Sequence, residues 1–151
     1  MTGHDAVVFA AGAGGGDADR TYAVDRDAAI RCIDAASASG VPRFVLVSYF
    51  GAGPDHGVSP DDSFYAYAEA KAEADQHLKN SDLSWTIVAP SGLTDDAGTG
   101  SITTKEQGAT GASVSRDDVA AVIATALDTP STAGRMIEFD QGETPIADAL
   151  S

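Results

Sequence analysis

The sequence predicts an α/β fold, a doubly wound parallel sheet with helices on both faces. Short apolar runs rich in β-branched residues alternate with amphipathic helical stretches, and crossovers of roughly thirty residues connect one run to the next, as in βαβ units. At 151 residues the chain can bury a moderate core without metal or disulfide support, so residues 1–151 are read as one domain.

The first element is "DAVVFAA", residues 5–11, an apolar run bounded by turn residues, as expected of a strand buried on both faces. In "VDRDAAIRCIDAASAS", residues 24–39, Val24, Ala28, Ile33 and Ala36 recur at helical spacing, and Gly40 supplies a C-terminal stop. "RFVLVS", residues 43–48, is a second strand that ends in the turn-rich "GAGPDHGVSPDD". A helix over residues 63–80 follows, then a third strand, "LSWTIVAP", residues 83–90. The polar, glycine-rich segment after it reads as a long functional loop. Ser115 and Asp118 open the next helix, "SRDDVAAVIATALD", in capping-box style, and "RMIEFD", residues 135–140, is a fourth strand.

The charge balance narrows the partners. Against 9 Lys and Arg stand 23 Asp and Glu, a formal net charge of -14. A surface this acidic repels nucleic-acid phosphates and anionic membranes. No apolar run spans a bilayer and no signal peptide is visible, so a cytoplasmic location and a small-molecule partner are the expectation. The single cysteine, Cys32, lies in a helical pattern as a small hydrophobe, and His4, His56 and His77 share no metal-ligand spacing, so no metal site is expected. His56, in the "PDHG" loop, reads as a solvated loop histidine, the alternative being a substitute proton donor that overhangs the site.

Two stretches carry chemistry. "FAAGAGGGDADR", residues 9–20, has Gly12 and Gly14 at the first two positions of a dinucleotide fingerprint, but Asp17 stands at the third. Asp17 and Asp19 would oppose a pyrophosphate at the helix start, so the turn is read as a backbone approach rather than a phosphate cradle. In "YAYAEAKAEAD", Tyr67 and Lys71 are four residues apart and share one helix face. An ammonium beside a phenol favours phenolate and makes the tyrosine a better proton donor; the plainer reading is a surface tyrosine packed on a lysine stem. Ser48 ends the second strand, at the carboxyl edge where open α/β sheets bind ligands.

In order and spacing, "DAVVFAAGAG", "VDRDAAIRCIDAA", "VPRFVLVSYFGA", "FYAYAEAKAEAD", "WTIVAPSGLTDD" and "SVSRDDVAAVIATAL" together resemble the short-chain dehydrogenase/reductase superfamily. The resemblance is to its atypical, NAD(P)H-binding-domain branch, and it covers nearly the whole chain. It implies a Rossmann-like sheet and NAD(P) as cofactor. Ala10, Ala11 and Gly12 would then lie along the cofactor, beside the adenine ribose. Ser48, Tyr67 and Lys71 would orient a carbonyl, donate a proton and hold the nicotinamide ribose. Pro90, Ser91, Gly92 and Leu93 would face the nicotinamide.

The chain departs from that pattern in two ways. The superfamily's first βαβ unit, with its glycine-rich phosphate loop, has no counterpart, so the domain is expected to be truncated at its N-terminus. The edge of residues 6–10 would then be covered by a second copy or a partner chain. Tyr49 stands where relatives often carry serine. The expected function is an NAD(P)H-dependent oxidoreductase acting on a small carbonyl-like substrate. The alternative is a non-catalytic Rossmann-like module that senses nucleotide or engages a protein.

Overall fold

The computed structural model describes residues 1–151, which divide into two compact units. The first holds Met1–Leu46 and Ala52–Ser84, and the second Val47–Gly51 and Trp85–Ser151.

In the first unit, β1 (Ala6–Phe9) pairs in parallel with β2 (Arg43–Val47), Val7 opposite Phe44 and Phe9 opposite Leu46. The crossover between them is one helical run: α1 (Ala18–Thr21), a π-helical segment (Tyr22–Ala28) and α2 (Ala29–Ala38). It starts six residues before the predicted point because Asp17 caps it, accepting the Arg20 N–H at 3.1 Å. Gly40 ends it as predicted, at a φ of 70°, with Gly40 N–H bonded to Ser37 O and Val41 N–H to Ala36 O. That pair of bonds is the Schellman stop. α3 (Tyr65–Lys79) packs against all three helical pieces. Its buried face includes Ala68, Ala72 and Ala74, whose small side chains let the helices approach closely. Phe44, Val45, Leu46, Ile33 and Leu78 fill this core. β1 lies at a sheet edge, with Val8 42% exposed.

In the second unit, β3 (Ser84–Pro90) pairs in parallel with β7 (Arg135–Gln141). The crossover carries α4 (Arg116–Asp128), N-capped by Ser115 as predicted. The polar segment expected to be an irregular loop contains three short strands, β4 (Gly92–Thr94), β5 (Ser101–Thr104) and β6 (Ser113–Ser115). β4 pairs in parallel with β6, while β5 runs antiparallel to β7 and to β8 (Thr144–Pro145). A short α5 (Ile146–Leu150) packs on α4 and β5. Ile87, Val88, Ile102, Val122, Phe139 and Leu150 are the core.

The chain thus adopts the predicted α/β fold, with β5 as the antiparallel exception in a mostly parallel pairing scheme. No helix is long and apolar enough to cross a membrane.

Candidate functional site

In the first unit the glycine turn follows β1 directly. Ala10, Ala11 and Gly12 are exposed, whereas Ala13 is buried and its N–H donates to Asp25 Oδ2 at 3.1 Å. Gly12 is glycine for a local reason: a Cβ there would lie 3.1 Å from Asp25 Oδ1. Gly14, Gly15 and Gly16 all take positive φ, and a Cβ on any of them would meet nothing within 4 Å. Their backbone is open to close approach by a flat ligand, which fits a dinucleotide passing over the turn. A phosphate cradle does not fit, because Asp17 already occupies the α1 N-terminus.

Asp25 sits in the π-helical segment and is only 2% exposed. Facing it is Lys71, 1% exposed, and Asp75 on Lys71's own helix is 2% exposed. Burial pulls the Lys71 ammonium below the ordinary lysine range, while Asp75 and then Asp25 pull it back up. A buried ammonium is costly unless opposite charges face it, and two carboxylates do. Lys71 is therefore not the stem of a surface pair. Tyr67 is half-buried one turn earlier, its ring 5.1 Å from that of the exposed Phe64.

His56 is a correction. It is not a solvated loop histidine, since its side chain is 6% exposed. Its Nδ1 accepts the Val58 N–H at 3.0 Å, which leaves Nε2–H to donate to Glu69 at 2.6 Å. Both ring nitrogens are engaged in holding the loop on α3.

In the second unit, Ser48 follows the end of β2 and is buried. Its N–H bonds Val88 O at 2.8 Å, and two residues on Phe50 N–H bonds Pro90 O at 2.9 Å. Ser48 therefore lies beside the start of the Pro90–Leu93 stretch, at the carboxyl end of β3. Pro90 and Ser91 are buried, while Gly92 and Leu93 are exposed.

The polar segment closes on this edge. Lys105 lies 5.4 Å over the Phe50 ring and 2.6 Å from Glu138, which also accepts the Gly51 N–H at 2.8 Å. Two buried carboxylates fasten its ends. Asp140 accepts the N–H groups of Thr110, Gly111 and Ala112 at 2.9, 3.1 and 2.9 Å. Burial pushes its pKa up, but the nearby Ser91 side chain, which makes no well-formed hydrogen bond, and above all the three amides outweigh that and hold it below the usual carboxylate range. Asp118 behaves alike: burial opposes it, and the Thr99 and Gly100 amides, with the Ser115 and Thr99 hydroxyls, hold it down. The Ser115 hydroxyl caps α4 through the Asp118 N–H, while the Asp118 carboxylate goes to Thr99 and Gly100 rather than to the helix.

Asp25 and Asp140 were missed by the sequence reading, and Asp118 was read as a capping-box partner of Ser115 although its carboxylate fastens Thr99 and Gly100. Asp25 had a signal, because Asp25, Ala29, Ile33 and Ala36 follow helical spacing and all prove buried.

The family profile described as NAD(P)H-binding matches residues 1–130. The chain belongs to that NAD(P)H-binding family. A protein of Bacillus subtilis named as an uncharacterized sugar epimerase is 38% identical, over 98% of this chain and 68% of its own length. The structure of a candidate NAD-dependent epimerase/dehydratase from Bacillus halodurans superposes with a TM-score of 0.88 at 38% identity, over 97% of this chain and 68% of that one. That of an oxidoreductase from Lactococcus lactis gives 0.87 at 32%, over 99% and 67%. The chain therefore spans about two thirds of the length of these relatives. NAD(P) is the cofactor that this family membership assigns to it.

Proposed function

We propose that the chain acts as an NAD(P)H-dependent reductase of a small carbonyl-like substrate. The observation that carries this reading is Lys71, buried against Asp25 and Asp75 one helical turn from Tyr67. A helix does not bury a lysine between two carboxylates for solubility, and perturbed buried groups concentrate at functional sites. When bound, the nicotinamide supplies the hydride to the carbonyl carbon. The Tyr67 hydroxyl donates the proton to the carbonyl oxygen, giving an alcohol. Lys71 holds the nicotinamide ribose and favours the tyrosinate left behind. The Ser48 hydroxyl donates to the carbonyl and orients it. Ala10, Ala11 and Gly12 contact the cofactor through their backbone, and Pro90, Ser91, Gly92 and Leu93 border the nicotinamide. Residues 1–151 serve this reaction as one cofactor-binding domain, and the segment fastened by Asp118 and Asp140 selects the substrate.

The test is a carbonyl panel with NADPH and NADH, comparing the chain with Tyr67→Phe. The reading predicts NAD(P)H oxidation that falls by about 10²–10⁴ in the variant while cofactor affinity stays the same. Equal rates, or no turnover with cofactor bound, would leave the non-catalytic nucleotide-sensing module.

A further inference from the structure

We propose that Phe64 is a specificity-determining residue: its exposed ring, set beside the Tyr67 ring, receives the flat, uncharged flank of an aryl ketone or aldehyde. This role deepens the functional reading and rests on Tyr67 being the proton donor given above.

Phe64 immediately precedes α3 and Tyr67 follows three residues later, so the two side chains share one side of the helix start. Their ring centroids are 5.1 Å apart and the planes are tilted by 50°. That spacing lies inside the range of favourable aromatic pairs. Phe64 is nevertheless 42% exposed, one of four large apolar side chains left so open.

The loop before it is braced rather than slack. The His56 side chain, 6% exposed, accepts the Val58 N–H on Nδ1 at 3.0 Å and donates from Nε2 to Glu69 of α3 at 2.6 Å. The Tyr65 ring meets the His56 ring edge-on at 5.8 Å. Asp62 then turns the chain into the helix: its N–H bonds Ser59 O at 2.9 Å, its Oδ1 accepts the Phe64 N–H at 2.8 Å, and its carbonyl accepts the Tyr65 N–H at 3.0 Å. Tyr65 is thereby taken up by His56, and Phe64 is left on the open side beside Tyr67.

Isolated exposed apolar side chains are ordinary on protein surfaces. Phe64 differs from such a residue because a braced backbone holds it in place and its neighbour is the proposed donor. A carbonyl oxygen within reach of the Tyr67 hydroxyl brings the groups on the carbonyl carbon within reach of the Phe64 ring. The charge of the loop selects further. Residues 52–64 carry Asp55, Asp61 and Asp62 and no lysine or arginine, so an anionic flank would be repelled. An uncharged aryl group stacks on the ring without that penalty.

Acetophenone and cyclohexyl methyl ketone test this role, since they share their carbon count and their carbonyl and differ in the flatness of the ring. Binding to the full chain is read from the ring NMR signals of Phe64 and Tyr67, and reduction from NADPH and NADH oxidation.

The expected result is that acetophenone moves both ring signals and binds about threefold to tenfold more tightly than cyclohexyl methyl ketone. Phe64→Leu keeps an apolar side chain at an exposed position and lacks the ring, so it should fold and bring that ratio to about one, with calorimetric affinity for the nucleotides unchanged. His56→Ala, which unpins the loop, should lower the ratio as well. A ratio unchanged in Phe64→Leu overturns the proposal, as do a wild type that binds the two ketones alike and wild-type ring signals that neither ketone moves. The functional reading fails separately. Binding with this preference but without nucleotide oxidation leaves Phe64 as an aryl-binding residue and removes the reductase, whereas equal kcat/KM for acetophenone in wild type and Phe64→Leu leaves a reductase whose selectivity lies elsewhere.

Discussion

Both units of this chain contain a parallel βαβ crossover and bury aspartates that fasten a glycine-containing segment, but the carboxylates face different partners. In the second unit, Asp118 and Asp140 face backbone N–H groups and hydroxyls, and both are held below the usual carboxylate range. In the first, Asp25 accepts one bond from a backbone N–H and otherwise faces an ammonium whose charge burial disfavours. A carboxylate surrounded by amides stabilises a loop and nothing more. One that shares a dry site with a lysine also favours the charged form of that lysine, as Asp75 and then Asp25 do against the burial of Lys71, and the lysine sits one turn from the proposed proton donor. The contrast separates scaffolding from chemistry among residues of the same type.

The largest effect that would sharpen this contrast is on rate. Tyr67→Phe should lose about 10²–10⁴ in turnover with its melting temperature unchanged, whereas no substitution at Asp140 should act on rate without also acting on stability. Next is stability. Asp140→Ala strands three amides and should cost about 3 kcal/mol, read as a lower denaturant midpoint. The break in the contrast would be an Asp140→Ala that melts normally and loses cofactor.

The pH dependence follows from the depressed values of Asp118 and Asp140. A carboxyl with a lowered folded-state pKa contributes stability that is present above its unfolded value, about 3.9, and is lost as pH falls through the folded value. Acid unfolding of the wild type should therefore steepen below about pH 4. Asp118→Asn and Asp140→Asn should each be less stable at neutral pH and show a flatter acid limb. Equal acid limbs for the variants and the wild type would contradict the assignment.

The smaller effects are local. Gly12→Ala should push the Asp25 carboxylate aside for about 1 kcal/mol, with the Lys71 titration midpoint moved down. Gly40→Ala, forcing a Cβ into a φ of 70° far from either site, should cost about 1 kcal/mol and lower the melting temperature by about 2–4 °C with no effect on Lys71.

What the sequence made legible follows the same division. β1, β2, β3 and β7 are short runs rich in β-branched, aromatic or aliphatic residues between turn signals, and α3 and α4 have periodic faces, so local pattern was enough to find them, although β1 proves an edge strand with Val8 exposed rather than one buried on both faces. β4, β5 and β6 are three or four residues long and are made by pairing with distant partners, Gly92 with Ser113 and Ile102 with Gln141, which no local pattern reveals. The start of α1 was hidden because Ala18–Thr21 has no apolar periodicity, only the cap of Asp17. Tyr67 and Lys71 were visible as a spaced pair. The burial of Lys71 was not, since the opposite charges that face it are Asp75 on its own helix and Asp25, forty-six positions away, in a slot on a helix face where the pattern expects an apolar residue.

The measurement that bears most directly on the central claim is calorimetric titration of the monodisperse 151-residue chain with NADPH and NADH, run beside Asp25→Asn. The account predicts saturable micromolar binding by the wild type and weaker binding by the variant. A well-folded wild-type chain that evolves no heat with either nucleotide would contradict it.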